Sequence, residues 1–438
     1  MRNKKISIFG LGYVGTVLSA CFAKKGFKVI GVDIDPFKVR SINQGRSPNI
    51  EPGLTQLIRE AVKKGRLKAT DDTNCAIADT NISLICVGTP TLHSGDIDYQ
   101  YIKRATRDIA KAIVEKKSGH TILIRSTIFP GTTDSIIKPI LSKICGKRLF
   151  KKIKLCCNPE FLREGTAIAD FFNPPKTVIG VDDKKIGQFL ISLLYHDIPG
   201  KKIITDVKTA ETIKYIDNTF HALKVTFANE VGIFCKSLGI DSHRIMEIFC
   251  HDKKLNLSPL YLKPGKPFGG SCLPKDLKVL VYRAKKNDLE LPVIYNILPS
   301  NDFHLKNVLK LITSFRKKKI GIIGLSFKEN TDDLRNSPLI KITESLIGKG
   351  YKVSIFDKNV SLAKIFGSNK EFLIKHISHI SSLITDNLRS LIKSSEIIIL
   401  ANKEKPFKLP AISKEKIIID LVRVNKLGNH KNYHGICW

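Results

Sequence analysis

KISIFGLGYVGTVLSACFAKKGFKVIGVD, residues 5–33, decides the fold. A short apolar strand runs into a glycine turn, a helical pattern follows, and a second apolar strand ends in Asp33. Gly10, Gly12 and Gly15 form G-x-G-x-x-G directly between strand and helix. The first glycine permits the tight turn, the second lets backbone approach a pyrophosphate, and the third lets helix and strand pack closely. Tyr13 and Val14 then lie at the helix N-terminus, where unpaired N–H groups and the helix dipole attract phosphate. Asp33 follows Gly10 at roughly the 20-residue distance at which a carboxylate accepts the ribose hydroxyls. Such a carboxylate repels a 2′-phosphate, so the expected cofactor is NAD and not NADP. Lys38 is placed to pair with the cofactor or with Asp33.

Outward from this unit, NISLICVGTP (81–90) and HTILIRSTIFPGTT (120–133) are buried apolar runs closed by turn residues. The second reads as a fourth strand, with Ser126 and Thr127 at the carboxyl edge where doubly wound sheets bind ligands. The last third repeats the plan: KKKIGIIGLSFK (317–328) matches the first strand and turn, and GKGYKVSIFD (348–357) matches KKGFKVIGVD (24–33). SSEIIILANKEKP (394–406) and EKIIIDLVRV (415–424) parallel the later strands. The repeat keeps only its first glycine, Gly324, and carries the bulky Phe327, which disfavours a second dinucleotide. Another phosphate-bearing ligand, with Lys328 as counter-ion, fits better. Between the halves the pattern is helical, and 209–238 contains one glycine and no proline. The expected architecture is α/β: two doubly wound Rossmann-like domains, 1–205 and 303–438, joined by a long central helix and a helical region, 206–302. A spine of that length is a natural interface for a homodimer or higher homo-oligomer.

Composition narrows the class. The 438 residues are 42% hydrophobic and 26% charged, the balance of a soluble globular chain, and no run reaches the roughly 20 apolar residues a bilayer requires. The basic tip runs straight into a strand, unlike a signal peptide, so a cytoplasmic protein without membrane partners is expected. The net charge of +33 is spread as pairs and triplets such as Lys317-Lys318-Lys319 and forms no aromatic-interleaved patch, which argues against nucleic acid. The ten cysteines are scattered and include no Cys-x-x-Cys pair and no zinc spacing, so most read as small buried apolar residues and no metal is expected.

Cys272 is the exception. In FGGSCLPKD (268–276) two glycines allow close backbone approach, and Pro274 suits the first turn of a helix. Cys272 thus lies near a helix N-terminus with Lys275 nearby, and both favour a thiolate. Asp276 is placed to hold a water or the lysine. On the spine, Lys214, Asn218, His221 and Asn229 fall within an arc of roughly 80° at 100° per residue, a ligand-facing stripe. NPEFLREG (158–165) follows a strand and sets Glu160 and Glu164 four residues apart, one to activate water and one to bind a sugar hydroxyl.

GLGYVG, VGTP (87–90), RSTIFPGTT (125–133), NPEFLREGTA (158–167), KVTFANE (224–230), FGGSCLPKD, GLSFKENTDDLRNSP (324–338) and the final GICW together resemble the UDP-glucose/GDP-mannose dehydrogenase family over essentially the whole chain. HDKKLNLS (251–258), INQGRSPNIEPGL (42–54) and GICW resemble the members that act on GDP-mannose and supply alginate-type polysaccharides. The alternative is a UDP-sugar such as UDP-glucose. The resemblance implies a four-electron oxidation of a nucleotide sugar at C6 with two NAD⁺, through a thiohemiacetal and thioester on Cys272. It assigns oxyanion stabilisation to Lys214 and Asn218, water positioning to Asp276 and Thr127, and base assistance to Glu160. By the same likeness Tyr13, Val14, Asp33, Lys38, Thr89, Thr127, Lys275 and Arg335 match NAD positions. Glu164, Lys214, Asn218, His221, Asn229, Tyr261, Lys263, Gly269 and Lys328 match sugar-nucleotide positions. The chain departs from the GDP-mannose pattern at Leu260, Tyr261 and Lys263, where a tyrosine pair and an arginine are usual, at Lys266 for an aromatic, and at Asn336 for an acid. A non-catalytic sugar-nucleotide binder would be expected to lose Cys272, Lys214 or Asp276, and all three are kept.

Overall fold

The computed structural model describes residues 4–254, 261–328, 331–360, 380, 382–403, 412–424 and 430–438. Leu260, residues 255–258 of HDKKLNLS, residues 329–330 of the repeated turn and residues 404–406 lie outside them. The chain divides into two compact units, 1–217 and 218–438.

The first unit is built on eight strands: β1 (Lys5–Phe9), β2 (Lys28–Val32), β3 (Leu67–Thr70), β4 (Ile82–Ile85), β5 (His120–Ile124), β6 (Ile153–Cys157), β7 (Lys176–Val181) and β8 (Lys201–Thr205). Their order is β3-β2-β1-β4-β5-β6-β7-β8, parallel throughout except for β6 against β7. The first six follow the dinucleotide-fold order. HTILI is the fifth strand and not the fourth, because the short β3, LKAT, alternates exposed and buried residues and lacks a continuous apolar run. Ser126 and Thr127 still follow its carboxyl end. Period-two side-chain alternation buries both faces of the sheet. Ile6 and Ile8 enter one core with Leu84 and Leu123, while Phe9 enters the other with Ile85 and Ile122.

The second unit holds β9 (Lys319–Ile323), β10 (Lys352–Phe356), β11 (Ile397–Leu400), β12 (Ile417–Asp420) and β13 (Tyr433–Gly435), all parallel in the order β10-β9-β11-β12-β13. Its two faces are buried in the same way, Ile320 and Ile322 on one side and Ile323 with Ile398 on the other. The internal repeat extends to single hydrogen bonds: Gly10 N–H donates to Val32 O and Gly324 N–H to Phe356 O, both at 2.8 Å.

Five helices carry or adjoin residues singled out in the sequence: α1 (Tyr13–Lys24), α2 (Val207–Ser237), α3 (Leu273–Lys286), α4 (Pro292–Ser314) and α5 (Pro338–Gly348). The spine α2 is 31 residues long. Asp276 in the first turn of α3 and Arg283, Lys285 and Lys286 in its last complement the helix dipole. Ala222 of α2, Phe268, Leu277 of α3 and Ile297 of α4 share a small core that binds these helices together.

At the first turn, Gly10 has φ +92°, a backbone region that side chains rarely adopt. Gly15 packs so closely that an added Cβ would lie 1.8 Å from Gly10 O, whereas a Cβ on Gly12 would meet nothing within 4 Å. Gly15→Ala is therefore expected to lower unfolding stability by about 1–3 kcal/mol, as overpacking does. Gly12→Ala is expected to stay within about 0.5 kcal/mol of the parent in the same urea titration.

Candidate active site

α1 begins directly after Gly12, and no side chain caps it. Its first-turn N–H groups, beside an open Gly12, form the cradle a dinucleotide pyrophosphate requires, so the residues present fit NAD. Asp33 ends β2 almost fully buried, and its Oδ2 accepts Leu11 N–H at 2.6 Å while Oδ1 accepts Asp35 N–H at 2.9 Å. Lys38 pairs with Asp33 at 3.3 Å. Thr89 Oγ1 donates to Thr127 O at 2.8 Å and ties the loop after β4 to the one after β5.

The repeated turn is built differently. Leu325 N–H and Ser326 N–H both donate to Asp357 Oδ2, at 2.7 and 3.0 Å, and Ser326 Oγ donates to the same oxygen at 3.1 Å. Where Gly12 leaves space, Ser326 also receives Asn402 Nδ2 at 2.9 Å, and α5 starts only at Pro338. Ser337, the N-cap of α5, donates through Oγ to Leu325 O of that turn at 2.6 Å. Phe327 instead packs its ring where a Cβ of Gly270 would be, at 2.8 Å. Lys328 is half-buried at the end of this turn, and Arg335 makes a two-point pair with Asp333 at 2.6 and 2.9 Å.

Glu160 and Lys214 form a buried ion pair at 2.8 Å, each side chain under a tenth exposed. Glu160 also accepts Leu162 N–H at 2.6 Å, so the loop folds around the carboxylate. Glu164 is half-buried near Tyr13. Glu51 and Glu211 were not singled out in the sequence. Glu51 accepts the Tyr13 hydroxyl, Gly165 N–H at 2.7 Å and Ala167 N–H at 2.8 Å, which pins the 163–167 loop to the start of α1. Burial, and then the bond to Glu51, raise the Tyr13 hydroxyl well above the ordinary phenol range. Glu211 accepts Thr133 N–H at 3.0 Å and Thr133 Oγ1 at 2.6 Å, and burial raises its carboxyl. Neither sits in a motif with a local signature; Glu51 lies within INQGRSPNIEPGL.

In the second unit, Cys272 is the exposed N-cap residue of α3. Its Sγ lies 3.6 Å from Ser271 Oγ. Lys275 pairs with Asp276. Asp276 is 1% exposed and also accepts Asn218 Nδ2, which joins α2 to α3 beneath the cysteine. His221 stacks on Tyr261 with ring centres 5.0 Å apart, and Tyr261 has φ +65°. Asn229 Oδ1 accepts Gly265 N–H at 2.9 Å, while its buried Nδ2 has no partner among the described residues. Gly269 packs against Asn336, whose carbonyl lies 2.4 Å from a would-be Cβ, so the glycine serves packing within this unit. Lys263 is exposed, and Lys266 donates to Ala401 O at 2.9 Å and to Asn402 Oδ1.

All ten cysteines are free. Six are buried, and burial pushes the Cys86 and Cys156 thiols up to about 12, the inert state expected of small apolar residues. Cys75 departs from that expectation and is exposed, because it faces outward on the short helix Thr73–Asp79. Among the described residues no group of three or more His, Cys, Asp or Glu side chains is placed to hold a metal ion, and no helix is long and apolar enough to cross a membrane.

The glycine-turn cradle at the head of α1 marks the chain as an NAD-dependent dehydrogenase. Family models match it in three parts: the UDP-glucose/GDP-mannose dehydrogenase family NAD binding domain at residues 4–198, its central domain at 208–303 and its UDP binding domain at 321–426. The chain belongs to this family of NAD-dependent nucleotide-sugar dehydrogenases. It is 44% identical to GDP-mannose 6-dehydrogenase of Pseudomonas aeruginosa over 439 residues, covering 99% of this chain and 100% of that protein. It is similar to a UDP-glucose dehydrogenase of Pyrobaculum islandicum, with TM-score 0.90, 31% identity, and 100% and 99% of the two chains covered. A ternary complex of the Pseudomonas aeruginosa GDP-mannose dehydrogenase matches at TM-score 0.57 and 44% identity, covering 99% and 100%.

Lys214→Met is expected to destabilise the fold by about 3–5 kcal/mol, because it leaves the Glu160 carboxylate buried and unpaired. The double variant Glu160→Gln, Lys214→Met should recover much of that loss in a denaturant titration, although neither variant is expected to turn over.

Proposed function

We propose that the chain oxidises the C6 alcohol of GDP-mannose to the carboxylate of GDP-mannuronate, consuming two NAD⁺ per sugar. The observation that carries the reading is Cys272, exposed as the N-cap of α3 and backed by the Lys275–Asp276–Asn218 cluster, in which Asp276 and Asn218 are buried. A structural cysteine has no use for exposure, a helix N-terminus and an adjoining network of charge. Identity of 44% over full length to proteins named GDP-mannose 6-dehydrogenase favours the mannose substrate.

NAD⁺, when bound at the α1 turn, supplies the hydride acceptor for both oxidations. Loss of the first hydride and the hydroxyl proton turns the C6 alcohol into an aldehyde. The Cys272 thiolate then adds to that carbon, making a C–S bond and a thiohemiacetal oxyanion. Lys214 and Asn218, one turn apart on α2, stabilise this oxygen. Loss of the second hydride leaves a thioester on Cys272. Water positioned by Asp276 and Thr127, with Glu160 as base, adds to the thioester carbonyl; the C–S bond breaks and the thiolate is regenerated. Tyr13, Val14, Asp33, Lys38, Thr89, Thr127, Lys275 and Arg335 serve NAD. Glu164, Lys214, Asn218, His221, Asn229, Tyr261, Lys263, Gly269 and Lys328 serve the nucleotide sugar, Gly269 through its backbone.

The same reading divides the chain into an NAD domain at 1–205, a central helical domain at 206–302 and a sugar-nucleotide domain at 303–438. A homodimer or higher oligomer through α2 accounts for Phe220 and Phe227, exposed two turns apart on that helix. Ten free thiols, two of them exposed, suit a reducing cytoplasm. UDP-glucose is the second substrate reading, and it is favoured by the sequence departures at Leu260, Lys263 and Lys266.

Parallel assays with GDP-mannose and UDP-glucose test the substrate. A kcat/KM at least about tenfold higher for GDP-mannose supports the proposal, and the reverse order replaces the sugar while keeping the chemistry. Cys272→Ala is expected to lower uronate formation by about 10³-fold or more while NAD affinity holds. Unchanged uronate production by that variant would refute the thioester route.

A further inference from the structure

The loop 264–272 that delivers Cys272 has no regular structure, yet side chains from α2 and α4 read its backbone. Asn301 of α4 is buried, and it makes two bonds to one residue: Phe268 N–H donates to its Oδ1 at 2.9 Å, and its Nδ2 donates to Phe268 O at 3.0 Å. One turn on, His304 is 2% exposed and its Nε2 lies 2.6 Å from Gly265 O. An acceptor carbonyl there requires the proton on Nε2, and burial lowers the imidazole's proton affinity, so the ring stays neutral. Asn229 of α2 takes Gly265 N–H. Both polar groups of Gly265 and of Phe268 are therefore satisfied by side chains and not by secondary structure. Phe268, four residues before Cys272, is also anchored in the core with Ala222, Leu277 and Ile297.

A buried amide that bonds both backbone groups of one residue fixes its position and its rotation, as a neighbouring strand would. We propose that Asn301, supported by His304, is a positioning residue for the cysteine nucleophile: its two bonds to Phe268 set where Cys272 stands at the start of α3. The proposal rests on the role given to Cys272 above. It adds a residue pair that touches neither substrate nor cofactor.

Asn301→Asp tests it almost isosterically, because the bond from Phe268 N–H survives and the bond to Phe268 O becomes a repulsion between acceptors. The full chain is treated with iodoacetamide at pH 7.5, and each cysteine is followed by peptide mass spectrometry. Exposed Cys75 and buried Cys157 serve as internal references. The Cys272 rate is expected to fall at least about threefold as its sulfur leaves the helix N-terminus, with Cys75 and Cys157 unchanged. In the same variant kcat for uronate is expected to fall about 10- to 100-fold, while KM for NAD⁺ stays within about twofold. Cys272 reactivity and kcat both equal to the parent's would overturn the proposal. If Cys157 becomes reactive the variant has unfolded, and the decision passes to His304→Gln, which can still donate to Gly265 O, against His304→Leu, which cannot. Retention in the first with loss in the second upholds the positioning role, and equal behaviour overturns it. If the parent chain oxidises neither sugar nucleotide, the functional reading falls, while the Cys272 alkylation ratio still decides the positioning.

Discussion

In each sheet a carboxylate at the end of the second strand accepts the N–H that follows the first turn glycine. Asp33 takes Leu11 N–H at 2.6 Å, and Asp357 takes Leu325 N–H at 2.7 Å. A charge-assisted bond to a buried carboxylate is stronger than an ordinary amide bond, and it holds the turn against the adjoining strand. The remainder of each binding half follows from how the chain leaves that turn. After Gly12 a helix starts at once with uncapped N–H groups, and a pyrophosphate has its cradle. After Ser326 the hydroxyl closes onto Asp357, the chain runs on to Pro338, and Phe327 turns its ring to Gly270. One repeated plan thus yields a cofactor turn in one half and a support for the cysteine loop in the other.

Three further buried carboxylates are each paired in the same way. Glu160 has Lys214, Asp276 has Asn218 and Lys275, and Glu51 has the Tyr13 hydroxyl and two backbone N–H groups. Unpaired, each carboxylate would resist burial. Fixed charges arranged in advance are also what an oxidation with developing oxyanions requires.

Much of this was legible because it is local. The G-x-G-x-x-G turn, Asp33 at the end of β2 and Pro274 just inside α3 depend on neighbours in sequence, and the internal repeat disclosed the second sheet without any relative. β3 escaped because a four-residue strand with alternate exposure carries little apolar signal, and β7 because nothing in a single strand states its direction. Glu51, Glu211, Asn301 and His304 escaped for another reason. Each bonds backbone groups far away in the chain, and a side chain that reads backbone places no demand on the residue type it meets. Lys266 was visible only as a departure; its bonds to Ala401 O and Asn402 show that it ties the cysteine loop to the end of β11.

The central claim is that one site carries the sugar through two oxidations without releasing the aldehyde. Counting NADH formed per molecule of GDP-mannose consumed, with an excess of NAD⁺ and the reaction run to completion, tests it most directly. The account requires two NADH for each GDP-mannuronate formed, with no free aldehyde trapped by added hydroxylamine. One NADH per sugar, with the aldehyde recovered as its oxime, would contradict it.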